Sequence, residues 1–265
     1  MNKTIAKQLA LIFFSLYLPI QSMAWGMLGH RIVGEIANGY LTPKAKAEVE
    51  KILGTESLAM SSTWADFIRS DSNYKYLTLW HYIDFEEDLT YEKMTKKLSD
   101  DTSVNAYTKL NFLIKQLKNK NVPSKDKQLY LRMLVHIIGD LHQPLHVSPR
   151  GDNGGNSIKV NWFSESSNLH RVWDENLIEY QELSYTEYVR AINFSNKKQR
   201  EEWQKQPISQ WLFESYTKSK QLRVGIKDGD KLGYVYNFKN IALANQQLLK
   251  GGIRLAGILN TIFDN

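Results

Sequence analysis

Residues 124–146 read SKDKQLYLRMLVHIIGDLHQPLH. The apolar residues of this stretch recur every three or four positions, which predicts a long α-helix that Ser124 caps and Pro144 ends. His136 and Asp140 are four positions apart, so their side chains project from one face of that helix, about one turn apart. This spacing suits two ligands of a single cation.

Other histidines extend this pattern. His142 follows His136 by six residues, which is about 240° around a helix with 3.6 residues per turn, so it faces away from the first pair. His146 lies beyond the predicted end of the helix, where the chain can turn back. A later predicted helix repeats the first spacing with His170 and Asp174. Two such pairs on separate helices indicate a metal site rather than isolated surface pairs.

The composition limits what such a site can contain. The chain has 265 residues with no cysteine and six histidines, and its formal net charge of +6 is only mildly basic. With 42% hydrophobic and 23% charged residues it is typical of a globular protein, which excludes disorder over the whole chain. The lack of cysteine excludes disulfide frameworks, cysteine-ligated zinc, iron–sulfur clusters and thiol nucleophiles. Histidine and carboxylate ligands favour zinc, with manganese or iron as alternatives.

The N-terminal segment predicts export. Two lysines precede an apolar run over residues 9–20, and small residues stand at the two positions before residue 25 that a signal peptidase reads. The run is shorter than the roughly 20 apolar residues of a membrane span, so a cleaved signal peptide over residues 1–24 is favoured over an N-terminal membrane anchor. Cleavage leaves residues 25–265.

Residues 25–265 are predicted to form one mostly α domain, because neither a repeat nor a change of composition marks a second boundary. A strand signal at 157–163 follows a turn-rich stretch and predicts a small surface β-hairpin. Gly251 and Gly252 weaken the prediction of the last helix and suggest a kink or a break there. Besides the long helix, helices are predicted over residues 28–39, 42–53, 61–69, 104–117, 168–180, 185–192, 202–218 and 237–259.

Further candidate ligands come from other parts of the chain. Asp66 lies in a Trp-Ala-Asp sequence and His81 in a Trp-His-Tyr sequence. Cleavage before Trp25 would free an α-amino group with a pKa of about 7.7–8.0, whose proton a metal displaces readily. This amine and the Trp25 carbonyl could chelate one ion, with His30 following at the start of a helix. The alternative is that Trp25 only packs in the core.

Six motifs follow one another along the chain, and their order is informative. They are Trp25 with His30, Trp64-Ala65-Asp66, Trp80-His81, His136-x3-Asp140-x-His142-Gln143-Pro144-Leu145-His146, Gly154-Gly155-Asn156 and Leu169-His170-x2-Trp173-Asp174. In this order they resemble the motifs of the zinc-dependent S1/P1 nuclease family. The resemblance implies a mostly α, single-domain, multi-helix fold of the kind that phospholipase C and nuclease P1 share, with a small β-hairpin.

The resemblance implies three zinc ions per chain. The first zinc would be held by Asp66, His81, His136 and Asp140. The second would be held by His146, His170 and Asp174. The third would be held by the amine and carbonyl of Trp25 together with His30 and Asp140. Asp140 would then bridge two ions, and His142 would be left for packing or for orienting a ligand.

The resemblance also assigns roles around the metals. Arg69 would be catalytic together with Asp66, because a guanidinium can bind two phosphate oxygens and offset charge in the transition state. Tyr82 would stack on a base, Asp84 would hydrogen-bond a base edge, and Asn156 would shape the pocket. The alternatives are a solvated arginine at position 69 and plain packing or surface roles for the others.

The implied activity is cleavage of single-stranded DNA and RNA to 5′-phosphate products, with 3′-nucleotidase activity, by a water activated at the trinuclear zinc site. Nucleic acid and 3′-nucleotides would be the substrates, with no stable protein partner, a monomeric state and no membrane association after cleavage. Secreted eukaryotic members usually contain disulfides and glycans, whereas this chain has no cysteine. The difference favours a bacterial exported protein, periplasmic or secreted.

Two other functions are alternatives. A zinc phospholipase C would share the fold and the trinuclear site, but its last metal carboxylate is typically glutamate where this chain has Asp174. The long interval from His146 to His170 also resembles the nucleases. A non-catalytic exported zinc-binding protein would need neither Arg69 nor an aromatic residue beside the metals. The nuclease is therefore the preferred function.

Overall fold

The computed structural model describes residues 25–86 and 88–264. The signal peptide predicted over residues 1–24 lies outside them, as does the membrane anchor weighed against it. Within the described ranges, no helix combines the length and the apolar character needed to cross a membrane.

Helices make up most of the fold, which confirms the prediction of a mostly α protein, and the buried apolar side chains form one connected core. The α-helices are α1 (Met27–Asn38), α2 (Pro43–Leu53), α3 (Leu58–Ser61), α4 (Trp64–Ile68), α5 (Tyr91–Asp100), α6 (Ala106–Lys118), α7 (Ser124–His142), α8 (Leu169–Arg171), α9 (Leu177–Glu179), α10 (Tyr185–Ile192), α11 (Lys197–Lys205), α12 (Ile208–Arg223) and α13 (Tyr234–Phe263). The remaining helical segments are 3₁₀ turns at Ser72–Trp80 and Pro144–His146 and a π-helical segment at Val172–Asn176.

Helix α7 is the long helix predicted from the sequence, and it lies in the middle of the core. All but one of its side chains from Leu131 to His142 are buried, and it packs against α1, α6 and α13. The cap predicted at Ser124 is wrong. Ser124 is the first helical residue, and Pro123 precedes it without any side-chain acceptor for the free amides of the first turn.

The last helix, α13, runs unbroken through Gly251 and Gly252, so the break predicted there is wrong. Both glycines lie where another element approaches closely. A Cβ at position 252 would be 2.5 Å from the Cβ of Ile36 in α1, and one at position 251 would be 3.3 Å from the Cγ of His142 in α7. The two glycines therefore let α13 pack against α1 and α7 instead of interrupting it.

Two predicted helices differ from the observed ones in extent. The helix predicted over residues 61–69 is shortened to α4, because α3 ends at Ser61 and α4 begins only at Trp64. The hydroxyls of Ser61, Ser62 and Thr63 donate to carbonyls three residues earlier, at 2.6–3.0 Å, and compete with the helical hydrogen bonds. The helix predicted over 202–218 is replaced by α11 and α12, because Pro207 lacks the amide hydrogen that a continuous helix requires.

Two small sheets complete the fold. Their strands are β1 (Ile83–Phe85), β2 (Val147–Pro149), β3 (Lys159–Trp162), β4 (Glu165–Asn168) and β5 (Asp230–Leu232). The predicted hairpin is confirmed as the antiparallel pair β3 and β4, to which β5 adds in parallel. The parallel pair of β1 and β2 was not predicted. β1 begins just after His81 and β2 just after His146. Because the two strands are parallel, both lead away from the region of these histidines.

Candidate metal centre

Buried histidines and aspartates from distant parts of the chain meet in one place. Their ligand atoms form three groups, and within each group the atoms lie no more than 4.8 Å apart. The groups are His30 with Asp66 and His136, His81 with His136 and Asp140, and His146 with His170 and Asp174. These eight side chains are called the histidine–aspartate cluster below.

Asp140 lies between the histidines of three elements. Its Oδ1 is 3.3 Å from Nε2 of His30, and its Oδ2 is 3.0 Å from Nδ1 of His81 and 3.3 Å from Nε2 of His136. All four side chains are buried. A carboxylate with each oxygen turned to a different set of imidazoles can hold two cations at once, as the bridging role implied from the sequence requires.

Backbone carbonyls fix the protonation of several cluster histidines. A carbonyl oxygen only accepts, so the Nδ1 atom facing it carries the hydrogen, and Nε2 keeps a lone pair for a metal. Three histidines are oriented in this way: His136 on the carbonyl of Ser62 at 2.7 Å, His146 on that of His81 at 2.8 Å and His170 on that of Gly154 at 2.6 Å. The carbonyl of Ser62 is available because Ser62 lies between α3 and α4, where the helix is interrupted.

The Gly-Gly sequence before Asn156 has a structural reason. Gly154 and Gly155 have φ values of +62° and +83°, a backbone conformation that other residues rarely adopt. A Cβ at position 154 would also lie 2.7 Å from the carbonyl oxygen of Leu145. The tight turn brings the Gly154 carbonyl to His170 and so orients that ring.

The residues present fit a bound divalent cation. Several buried polar atoms of the cluster have no hydrogen-bond partner within the described part of the chain, and each such atom costs about 1–3 kcal/mol. They include both ring nitrogens of His30, both carboxylate oxygens of Asp66, Nε2 of His81 and of His146, and Oδ1 of Asp140. Imidazole nitrogens and carboxylate oxygens are common ligands of divalent metal ions, so bound cations would supply the partners that these buried atoms lack.

Burial sets the protonation of the central groups. It raises the pKa of Asp140 well above its usual range, with the charges of Asp66 and Asp174 acting in the same direction. It lowers the pKa of His30 and of His81 well below the usual histidine value, with neighbouring histidines adding to the effect. Without a metal, burial therefore favours the neutral forms of His30, His81 and Asp140.

In the group of His146, His170 and Asp174, the pKa values of His170 and Asp174 shift in the opposite directions. Burial alone would lower the pKa of His170, but the charge of Asp174 and the hydrogen bond to it outweigh burial and raise that pKa. The same contact lowers the pKa of Asp174 against the effect of burial. Nε2 of His170 lies 3.0 Å from Oδ2 of Asp174. Asp174 lies in the π-helical segment that begins two residues after His170.

Arg69 and Trp25 both lie beside the cluster. Nη1 of Arg69, at the end of α4, is 3.6 Å from Oδ1 of Asp66, and 23% of the arginine side chain is exposed. Trp25 is fully buried. The amide of Gly26 donates to the carbonyl of Asp174 at 2.8 Å, which keeps residue 25 next to the segment that carries this ligand.

The substrate-binding residues predicted from the sequence divide into two places. Tyr82 and Asp84 line one cleft of about 690 Å³, where 38% of Tyr82 is exposed. Burial raises the pKa of Asp84, and the charge of Arg150 counteracts this. Asn156 lies elsewhere, because its side-chain amide donates to the carbonyl of Asn153 at 2.8 Å within its own turn.

His142 faces away from the cluster, in the direction that the helical spacing predicts. Its Nδ1 donates to the carbonyl of Ile138 at 2.7 Å, and its Nε2 accepts from Nη1 of Arg254 at 2.9 Å. The ring is packed beside Trp211, with 5.6 Å between the ring centroids. Both nitrogens are therefore occupied, and His142 has no lone pair left for a metal.

Gln143 is a site residue that sequence reasoning missed. Its side-chain nitrogen donates to Oδ1 of Asp174, and its side-chain oxygen accepts from the amide of Leu145 at 2.5 Å. The amide group thereby links the end of α7 to the carboxylate of the third group. The only signal in the sequence was the polar Gln143 between ligand positions in a buried stretch, because its partner is 31 residues away.

Comparisons with known proteins agree with this geometry. The S1/P1 nuclease family model matches residues 25–264. Endonuclease 2 of Arabidopsis thaliana is 30% identical over 277 residues, which cover 94% of this chain and 93% of that protein. Nuclease S1 of Aspergillus oryzae is 30% identical over 274 residues, which cover 90% and 91%. Nuclease P1 of Penicillium citrinum is 34% identical over 159 residues, which cover 57% of each chain.

These matches confirm the family that the six motifs indicated. The family model extends over residues 25–264 and includes every residue of the histidine–aspartate cluster. The chain belongs to the S1/P1 nuclease family and is a hydrolase that acts on phosphoester bonds.

Proposed function

We propose that this protein is a zinc-dependent phosphodiesterase that cleaves single-stranded DNA and RNA to 5′-phosphate products and also acts as a 3′-nucleotidase. The observation that carries the proposal is the convergence of three groups of metal-ligand atoms beside Arg69. Hydrolysis of a phosphodiester needs charge compensation at the phosphate and at the leaving oxygen, which adjacent divalent ions provide in many nucleases. The relatives that are named nucleases support this class of substrate.

We propose three zinc ions, held as the family resemblance implies. Zinc, when bound, supplies a Lewis acid and lowers the pKa of water. The first set of ligands is Asp66, His81, His136 and Asp140; the second is His146, His170 and Asp174; the third is Trp25, His30 and Asp140. Support for the shared carboxylate comes from Asp140, whose two oxygens face different histidines.

Arg69 would bind the substrate phosphate. It follows Asp66 by about one helical turn, and part of its side chain is exposed beside the cluster. A guanidinium there can donate two parallel hydrogen bonds to phosphate oxygens and stabilise the charge that develops as the ester bond breaks. Asp66 would act with it by holding both the metal and the arginine.

Tyr82 and Asp84 would hold the base next to the cleaved bond. Tyr82 directly follows the ligand His81, so an aromatic face in the cleft lies close to the cluster. Stacking on such a ring contributes about 1–3 kcal/mol per base with little sequence preference. Asp84 lies two residues further along β1 and can hydrogen-bond a base edge. Asn156 would contribute only by shaping the turn that precedes β3.

Export and a monomeric state belong to the same proposal. Residues 1–24 would direct the chain out of the cytoplasm and be removed, which would leave a periplasmic or secreted protein whose only partner is its substrate. The basic start and the short apolar run support this. N-terminal sequencing of protein from the exported fraction should begin at Trp25, and gel filtration should give a mass near that of one chain.

The activity is tested on four substrates. Purified mature protein is incubated with single-stranded DNA, RNA, 3′-AMP and phosphatidylcholine, with and without a chelator. The proposal expects cleavage of the first three, loss of activity with chelator and recovery with zinc. Hydrolysis of the lipid alone would identify a phospholipase C, and zinc binding without any hydrolysis would indicate a storage or transport protein.

A pair of variants checks that the cluster is responsible. Asp140→Asn removes a charge from the shared carboxylate and should reduce activity by at least about 100-fold, the upper end of what outer-sphere changes cost. Glu201→Gln removes a charge from an exposed carboxylate on α11 and should leave activity unchanged. Equal activity of the two variants would contradict the assignment of the site.

A further inference from the structure

The cleft that holds Tyr82 and Asp84 continues well beyond them. The parallel strands β1 and β2 leave the cluster at His81 and His146 and run side by side away from it. At about 3.3 Å per residue, the wall from Tyr82 to Glu86 extends about 13 Å, which is more than one nucleotide requires. Most of the cleft therefore lies outside the space that the base beside the metals would fill.

The far part of this cleft is lined with cations. Lys93, Lys96 and Lys97 line it from α5, where their spacing of three and four residues places them on one face of the helix. Arg150 lines it from the end of β2, held there by a hydrogen bond of 2.8 Å from its backbone amide to the carbonyl of Phe85. Two separate elements thus bring positive charge to the same space.

Four carboxylates, Asp84, Glu86, Asp100 and Asp101, line the same cleft, so its cations and carboxylates are equal in number and their placement decides which cations stay unpaired. Glu86 forms an ion pair with Lys97 at 2.7 Å. Asp101 accepts hydrogen bonds from Ser103 and Asn105 at 2.6–2.8 Å, so its carboxylate is occupied within its own turn. Neither Lys93 nor Lys96 has a carboxylate within 4.0 Å among residues 25–86 and 88–264. These two ammonium groups remain available for an anionic ligand.

The floor between the charges is apolar. Leu79, Leu89 and Val104 line the cleft together with the ring of Tyr82, and 48% of Leu79 and 45% of Val104 are exposed. A track of cations beside an apolar and aromatic surface is the usual combination in grooves for single-stranded nucleic acid, where phosphates contact the cations and bases contact the surface. A small neutral substrate would not need such a wall.

We propose that this cleft is an extended subsite for the nucleotides that flank the cleaved bond on the side of the Tyr82-bound base, with Lys93, Lys96 and Arg150 contacting their phosphates. The proposal rests on the proposed nuclease function and adds the path of the strand to it. The subsite would favour oligonucleotides over mononucleotides and would make the preference depend on salt.

The double variant Lys93→Gln/Lys96→Gln tests the subsite. kcat/KM is measured for a single-stranded 12-mer and for 3′-AMP over a series of salt concentrations. Loss of two phosphate contacts should reduce the slope of log kcat/KM against log salt by about 1.4, at about 0.7 per contact, and reduce kcat/KM on the 12-mer about five- to tenfold at low salt. The loss should not extend to 3′-AMP, which has no flanking phosphate.

The matched control is Lys198→Gln/Lys205→Gln, which removes the same charge from exposed positions on α11, outside the cleft. It should behave as the wild type on both substrates. Equal slopes and equal rates for the cleft variant and the control on the 12-mer would overturn the subsite while leaving the nuclease function intact. A wild type that cleaves no single-stranded substrate would instead overturn the function itself.

Discussion

A Cβ atom at position 139 would lie 2.7 Å from Nδ1 of His30, so the His30 ring occupies the space that any other residue at position 139 would fill. The ring stacks on that of His136, with 3.8 Å between centroids and 16° between planes. Gly139 therefore allows α1 to bring His30 over α7, where its Nε2 reaches the neighbouring Asp140. The glycine in the ligand motif acts by its lack of a side chain.

Gly139→Ala is expected to displace His30 and to lower metal content. The imidazole is rigid and enclosed on all sides, so it cannot turn away from an added methyl group without losing its contact with Asp140. Elemental analysis should give less than the full complement of zinc, and activity should fall at least about tenfold.

Gly257→Ala is the control for the glycine change, because the atoms near an added methyl group there belong to the flexible side chain of Gln204. In the interior of α13 it should keep its metal, and the gain of up to about 1 kcal/mol from helix propensity should be offset by the shift that Cγ of Gln204, 2.8 Å from the added atom, must make. A Gly139→Ala protein with full metal content and full activity would show that His30 is not a ligand.

Gln143→Leu is expected to weaken one metal site selectively. The substitution keeps the volume but removes the donor to Asp174 and the acceptor for the amide of Leu145. Outer-sphere hydrogen bonds of this kind are worth about 10- to 100-fold in metal affinity. Competition titration with a zinc chelator should therefore show one weakened site of the three, the one assigned to His146, His170 and Asp174.

The control for this change is Gln181→Leu, which removes a half-buried amide that donates to Leu177 and Asn237 away from the cluster. It should leave all zinc affinities unchanged. If the Gln143→Leu titration coincides with that of the wild type, the hydrogen bond to Asp174 has no part in metal binding.

The role of Gln143 shows where sequence reasoning succeeds and where it stops. Relationships inside one helix follow from its geometry, so the pair His136 and Asp140 and the outward direction of His142 could be predicted from spacing alone. Gln143 acts on Asp174 across the fold, and no local period reports such a contact. The meeting of His30, Asp66 and His81 with this helix was expected only through the family resemblance.

The wrong predictions of helix boundaries and continuity have the same origin. Gly252 suggested a broken helix because local propensity is unfavourable there, but close contact with Ile36 requires a glycine at that point. Ser62 and Thr63 lie outside a helix that the apolar pattern predicted to include them, and the carbonyl freed at Ser62 then orients His136. Tertiary contacts override local propensity at the positions that support the cluster.

A residue left ahead of Trp25 is expected to remove one zinc. The proposed third site uses the free α-amine, and an added Met converts that amine to an amide, which binds zinc poorly. Protein with Met before Trp25 should contain two zinc ions instead of three and should have reduced activity. The same Met added after Asn265 should change neither quantity. Equal zinc content in the two extended proteins would contradict the amine ligand.

The stabilisation that zinc gives is expected to depend on pH through Asp140. In the metal-free protein its pKa is raised by burial above the unfolded value, so its contribution to stability is full below about pH 4 and is lost as pH rises through the folded pKa. The histidines act oppositely: burial lowers the pKa of His30 and His81, so their contribution is present above about pH 6.5 and is lost as pH falls.

Zinc needs the carboxylate ionised and the imidazoles neutral, so its binding displaces a proton mainly from Asp140. The difference in Tm between the zinc-bound and chelator-treated protein should therefore widen as pH rises from about 5 to 7.5. Calorimetric titration of zinc in buffers of different ionisation enthalpy should report proton release, and Asp140→Asn should reduce it. A Tm difference independent of pH, with no proton release, would mean that Asp140 is already ionised before zinc binds.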